Sequence, residues 1–262
     1  MLYEPKQIEI SENHLEKIFR QLKGDFCLIG GWATYQIVNK NFEESNGRKY
    51  IGSKDIDIGF HIDERWSEEQ LKTSEFYNMI NILEKKGFIS VGFRLVKNFD
   101  FETGIELTVD EAATRPLHEV FQLYVDPIVD HIHPKIKDIL GFIPIDEPLL
   151  AYVFKKNLCT QVKMYGSRVL LPEPHVLLAM KLNAAPKRDK EYKKIKDIAD
   201  IFALLWFSDI RIDRIKANLL SIYPEDKVRK TVDGFTRDEV GRASEAIGMR
   251  SAEVRRVLAE LS

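Results

Sequence analysis

The sequence predicts an α/β (α+β) half running to about residue 172 and an all-helical half from 173 to 262. Three observations lead there. A glycine pair joins a short apolar strand to a helix in "DFCLIGGWATYQIVNK". Strand-like text with period-2 alternation then dominates up to "SRVLLP". Beyond Pro172 the apolar spacing becomes almost wholly helical.

Taken in order, Ser11 is a plausible N-cap for a helix through Leu22, with Leu15, Ile18, Phe19 and Leu22 on one face. "DFCLIG" reads as a buried strand, Gly30-Gly31 turns it into a helix, and "NFEESNGRKYIG" reads as a polar loop with an Asn-Gly turn. "SKDIDIGFHI" is a strand. A helix from Ser67 to Lys86 opens with the capping box Ser67-x-x-Gln70 and closes at Gly87. "FISVGFRLV", "GIELTV" and "HEVFQLYVDPIVDHI" are strand-like, and "NLCTQVKMYGSRVLLP" reads as a hairpin turning at Tyr165-Gly166-Ser167. Prolines then open the helix "PEPHVLLAMKLNAA". "DKEYKKIKDIADIFALLWF" is amphipathic, with Ile195, Ile198, Phe202 and Leu205 on one face. Three or four further helices fill the remainder, and there is no internal repeat.

The bulk composition describes an ordinary globular chain, 44% hydrophobic and 31% charged, with no bias towards disorder. Apolar runs such as "FALLWF" are too short to span a bilayer, and the N-terminal text has no signal-peptide pattern. Cys27 and Cys159 read as buried free thiols in a reducing compartment, so a cytoplasmic location without a membrane is expected. The net charge of −2 hides an asymmetry: 17 basic against 26 acidic residues up to Leu150, then 22 against 15. An acidic half suits a cation site, and a basic half suits phosphate.

In "DID" the period of a strand sends Asp55 and Asp57 to one face while Ile56 and Ile58 enter the core. Two like charges held side by side repel unless a cation bridges them, and Mg²⁺ accepts a few carboxylates plus phosphate oxygens. Alone, the pattern more often marks an exposed strand edge with two solvated acids. A strand entering a helix through Gly30-Gly31 leaves backbone N–H groups free to meet a phosphate, although a tight turn needs glycines just as well. The order carries more weight than either piece: strand, Gly-Gly, helix, then a strand with Asp-x-Asp sets a phosphate cradle in the same sequence block as a metal site.

"IGGWA…SKDIDIGF" resembles the signature of the DNA polymerase β-type nucleotidyltransferase superfamily. The resemblance implies a nucleotidyltransferase fold with a mixed sheet, Mg²⁺ on Asp55 and Asp57, and a third carboxylate from a later strand. Asp126 in "FQLYVDPIVD" is the best match, with Asp130 and Glu106 as rivals. A second block, "VLLPEPHVLLAMKLNAAPKRDKEYKKIKDIADIFALL", is similar to AbiEii-type toxin nucleotidyltransferases. By that resemblance Lys181 and Arg188 would contact nucleotide phosphates, while Lys196, Asp197 and Asp200 would organise the site. Lys193–Asp197 and Lys196–Asp200 also read as i,i+4 pairs on a solvated helix face. The implied activity is transfer of NMP from an NTP to an acceptor such as RNA or the 3′ end of tRNA, beside an antitoxin protein.

Two other functional classes compete. "ASEAIGMRSAEVRRVLAEL" looks like a helix-turn-helix at about 236–261, with Ser251 capping a helix that carries Arg255 and Arg256. It would suit a DNA-binding regulator with an inactive core. A small-molecule, aminoglycoside-type acceptor is the other alternative, since one fold serves many substrates. His131 and His133 in "DHIHP" read as strand-end residues sharing a face, with no third nitrogen or sulfur ligand in view.

Overall fold

The computed structural model describes residues 2–261. Two compact units emerge: Tyr3–Ile29 with Ser53–Leu171, and Gly30–Gly52 with the chain from Pro172 onward. The first is built on a sheet and the second on helices.

The strands are β1 (Cys27–Ile29), β2 (Ile56–Phe60), β3 (Ile89–Val91), β4 (Arg94–Asp100) and β5 (Glu106–Leu107). They continue with β6 (Val120–Val129), β7 (Ile145–Asp146), β8 (Cys159–Met164) and β9 (Ser167–Pro172). Among the described residues these make one nine-stranded mixed sheet, ordered β3-β4-β6-β2-β1-β9-β8, with β5 on β4 and β7 on β6. β2 runs parallel to β6 and antiparallel to β1, while β4 is antiparallel to β6. Ile56 and Ile58 are fully buried, as period-2 alternation requires. The β8–β9 hairpin turns through Tyr165 (φ 50°) and Gly166 (φ 87°), the pair of positive φ values that a two-residue loop matching the strand twist requires.

Helices of the sheet unit are α1 (Pro5–Phe19), α3 (Glu68–Lys72), α4 (Glu75–Lys85), α5 (Val109–Ala113), α6 (Ile136–Leu140) and α7 (Leu150–Phe154). α1 starts six residues before Ser11: Pro5 sits in its first turn and Glu4 forms a capping box with Gln7. Ser11 is instead fully buried mid-helix. The single helix expected over 67–86 is two. Ser74 accepts the N–H of Tyr77 at 3.2 Å and donates to the Leu71 carbonyl at 2.6 Å, so its hydroxyl ends one helix and caps the next. His131 and His133 lie past the end of β6 and diverge. His133 meets the Trp66 carbonyl at 3.1 Å, and His131 faces Glu64 at 3.9 Å.

The helical unit holds α2 (Gly30–Asn46), α8 (Pro174–Ala184), α9 (Glu191–Phe207), α10 (Ile212–Ile222), α11 (Glu225–Asp233), α12 (Arg237–Ile247) and α13 (Ser251–Ala259). α2 runs on to Asn46, through text that reads as a loop, because Phe42 packs edge-on against Phe207 at 5.0 Å. α9 is not an ordinary amphipathic helix: from Ile195 to Leu205 every residue is buried, with α2, α8, α12 and α13 packed around it. A helix buried on every side must pair the charges it carries, and Lys196, Asp197 and Asp200 are the ones buried here. α12 and α13 are joined through Gly248 at φ 64°, a left-handed conformation that glycine adopts without strain. No described helix is long and apolar enough to cross a membrane.

Candidate active site

Asp57 stands in β2 directly opposite Asp126 of β6, and Ile29 of β1 pairs with Asp57 from the other side. Asp55 lies just before β2. Of the three rivals for the third carboxylate, Asp126 is therefore the one in register with Asp57. Asp130 turns away, accepting from the Ile62 N–H at 2.9 Å and meeting His61 Nδ1 at 2.6 Å. Glu106 pairs with Lys97 at 2.5 Å on β5. Pro127, unusual inside a sheet, falls past Val125, where the ladder with β4 ends.

A cation already sits among these acids. Arg94, the first residue of β4, donates Nε to Asp126 Oδ1 and Nη2 to Oδ2, both at 2.6 Å. Its Nη2 lies 3.6 Å from Asp55 Oδ2. The guanidinium also covers the Tyr124 ring at 4.1 Å. Tyr124 and Asp126 are i,i+2 on β6 and so share a face, which lets one side chain stack on the ring and fork onto the carboxylate. Burial alone would favour the neutral guanidine. Asp126, Asp55 and Asp57 outweigh it and hold Arg94 charged.

The donor set can be tested for fit to Mg²⁺. Among the described residues no group of three His, Cys, Asp or Glu side chains converges as a ready-made metal cage. Mg²⁺ does not need one, because one or two carboxylates plus substrate phosphates satisfy it. Asp55 and Asp57 fit that requirement. Asp126 does so only once Arg94 lets go, since both its oxygens accept from the guanidinium.

A second charged cluster forms within the helical unit. Lys181 of α8 is buried with Nζ 3.0 Å from Asp197 and 2.7 Å from Asp200 of α9. Arg188 donates Nε to Asp197 at 2.6 Å, Lys196 meets Asp200 at 2.5 Å, and the Tyr50 hydroxyl donates to Asp200 at 2.9 Å. The Lys196–Asp200 pair thus lies in the core, not on the solvated face that i,i+4 spacing suggests. The sequence-predicted Lys181, Arg188 and Lys196 do come together, but all three charges a nucleotide would seek are already answered by aspartates. Arg188 alone keeps about a third of its side chain exposed. Burial would raise the Asp197 carboxyl; Lys181 and Arg188 overcome it and hold Asp197 below the ordinary carboxylate range. Burial pulls Lys196 down from its ordinary value in spite of Asp200.

Gly30 and Gly31 open α2, Gly30 with φ 66°, a backbone conformation that L side chains rarely adopt. Gly30 is also the next residue in the chain after Ile29, the β-partner of Asp57. Arg255 and Arg256 of α13 are both exposed, and Arg256 lies over the Trp206 ring at 5.2 Å. Neither cysteine is in a disulfide; Cys159 is half-buried where the sequence predicts a buried thiol, and burial pushes the Cys27 thiol well up, which leaves it a core residue without nucleophilic character.

No protein-family model and no curated protein matches this chain. One solved structure is similar, an antigenic nucleotidyltransferase-like protein from Paracoccidioides brasiliensis, at 17% identity and a TM-score of 0.39 over 94% of this chain and 95% of that one. A score that low does not establish a common fold. The functional reading rests on the side chains themselves.

Arg94 is the residue that sequence reasoning misses. "GFRLV" shows only one cation in a strand. What gives it meaning is the β4–β6 register, which pairs Leu95 with Val125 and so brings the neighbouring arginine to Asp126.

Proposed function

We propose that this chain is a Mg²⁺-dependent nucleotidyltransferase that moves NMP from an NTP to a hydroxyl of an RNA acceptor, the 3′ end of tRNA included. The observation that supports it is the gathering of Asp55, Asp57 and Asp126 on and beside neighbouring strands around one guanidinium. Asp55 and Asp57 would hold Mg²⁺, which would supply positive charge against the negative charge that develops on the triphosphate.

The chain's own residues do the rest. Triphosphate oxygens compete with Asp126 for Arg94, whose planar fork binds phosphate as readily as carboxylate. Asp126, released, accepts the proton of the acceptor hydroxyl. That oxygen attacks the α-phosphorus, the bond from the α-phosphorus to the bridging oxygen breaks, and pyrophosphate leaves with the electron pair. The sequence resemblance gives Gly30 and Gly31 a phosphate contact through the free N–H groups at the opening of α2. Within the helical unit, Arg188 is held in place by Asp197, and the sequence resemblance gives it a nucleotide-phosphate contact. Lys181 and Lys196 act at one remove, by fixing Asp197 and Asp200. Blocking tRNA 3′ ends would make the chain toxin-like, the circumstance in which an antitoxin partner is expected.

Label transfer tests this reading. The protein is incubated with each of four α-labelled NTPs, Mg²⁺ and total cellular RNA, beside Asp57→Ala. Labelled RNA that needs both Mg²⁺ and Asp57 is the expected result, with Asp57→Ala lowering the rate at least 100-fold, about 2.7 kcal/mol of transition-state stabilisation. Absence of both transfer and NTP binding would overturn it.

A further inference from the structure

Away from the carboxylates, a cavity of about 410 Å³ opens in the helical unit between α8, α9 and α11. Four lysines line it: Lys187 from the turn after α8, Lys194 from α9, and Lys227 and Lys230 from α11. No Asp or Glu is among its lining residues. Lys194 is neutralised by Glu239 at 2.7 Å. Lys187 donates to the neutral Asn183 amide at 3.0 Å. Lys227 lies over the Tyr223 ring at 6.0 Å. Among the described residues no ion pair answers Lys187, Lys227 or Lys230.

Such convergence is not incidental to the helix. Lys227, Lys230, Thr231 and Gly234 stand at i, i+3, i+4 and i+7 of the α11 text and form one stripe facing the cavity. Exposed ammonium groups gathered in one hollow repel each other, and a multiply charged anion relieves that repulsion. The same hollow presents two rings, Tyr223 and Phe235. Its size is at the lower end of small-molecule pockets, about 300–1,000 Å³, which suits a single nucleotide unit. The basic surface also continues outward through the exposed Lys187–Lys190 turn, as a strand of phosphates would need and a free nucleotide would not.

We infer that this cavity seats one nucleotide of a single-stranded RNA, its phosphates on Lys187, Lys227 and Lys230 and its base against Phe235. The inference rests on the RNA-acceptor reading above and deepens it: the helical unit holds the acceptor strand.

Fluorescence anisotropy with a labelled 20-nucleotide RNA, without NTP and across a salt series, tests it. The variants are Lys227→Gln/Lys230→Gln, Phe235→Ala, and Lys40→Gln/Lys72→Gln as a control with the same charge change elsewhere. Loss of two phosphate contacts should weaken binding roughly tenfold at moderate salt and reduce the slope of log K against log salt by about 1.4. Phe235→Ala should weaken binding without changing the slope, and the control should alter neither. Unchanged binding in the pocket variants, an equal loss in the control, or displacement of the RNA by equimolar ATP would each overturn it. Because the assay contains no NTP, its outcome is separate from that of the transfer reaction: RNA binding through the pocket without any label transfer would sink the transfer reading alone.

Discussion

At the scale of single residues, Arg94 decides how the carboxylates behave. Three acids on one face would otherwise repel, and the guanidinium answers Asp126 with two short hydrogen bonds while reaching Asp55. It therefore stands where a divalent cation would be drawn. Arg94→Ala should open that place: Mg²⁺ without nucleotide should raise the melting temperature of the variant more than that of the wild type. At about ten times its dissociation constant the ion adds ~1.4 kcal/mol, or roughly 3–5 °C for a chain of this length. Scanning calorimetry with Mg²⁺ and with a chelator measures it. An equal shift in both proteins would mean that Arg94 does not guard the acids. Asp55 and Asp57 are legible as a pair because strand period is a local property; the guanidinium is not, because nothing near "GFRLV" in the chain marks it.

Among elements, the α8–α9 pair carries the buried charge network. Lys181 answers two aspartates at once, so Lys181→Met takes a buried partner from each, leaving Asp197 with Arg188 and Asp200 with Lys196 and Tyr50, and should destabilise by about 1.5–3 kcal/mol in urea unfolding. The pH dependence follows from Asp197, whose folded pKa is depressed by Lys181 and Arg188. Its contribution is fully present above the unfolded value of about 3.9 and is lost as pH falls through the folded value. Asp197→Asn should therefore flatten the acid limb of the stability curve below about pH 4 while lowering stability at pH 7. A parallel acid limb in wild type and variant would show that the network does not store that stability. The i,i+4 spacing of Lys196 and Asp200 is visible in the sequence, but spacing alone cannot tell a solvated pair from a buried one. The helices packed around α9 make that choice.

On the scale of the whole chain, the helical unit is assembled from two separate stretches. α2 contributes Phe42 against Phe207, Asn41 to the Phe207 carbonyl at 2.9 Å, and the segment after it brings the Tyr50 hydroxyl to Asp200. A fragment of residues 173–262 lacks these, exposes one side of the buried α9, and leaves Asp200 without its tyrosine. Circular dichroism and urea titration of that fragment should show a loosely packed, non-cooperative helical state. Adding a peptide of residues 30–52 should restore a cooperative transition. A sharp transition in the fragment alone would show that α2 is dispensable to this core.

What the sequence determined by itself lies within a few residues of chain. The Asp-x-Asp face, the glycine pair at a helix start, the Tyr165-Gly166 turn, the proline-led α8 and the Gly248 break all follow from backbone sterics and short-range periodicity. Only the tertiary structure decided that Asp126 rather than Asp130 or Glu106 stands opposite Asp57, that Arg94 occupies the acids, that α2 belongs with α9, and that four lysines share one hollow. Each of these depends on strand register or helix packing between segments far apart in the chain. Such contacts form because they bury apolar surface and pair charges across the fold, and a linear pattern records neither the partner nor the face it meets.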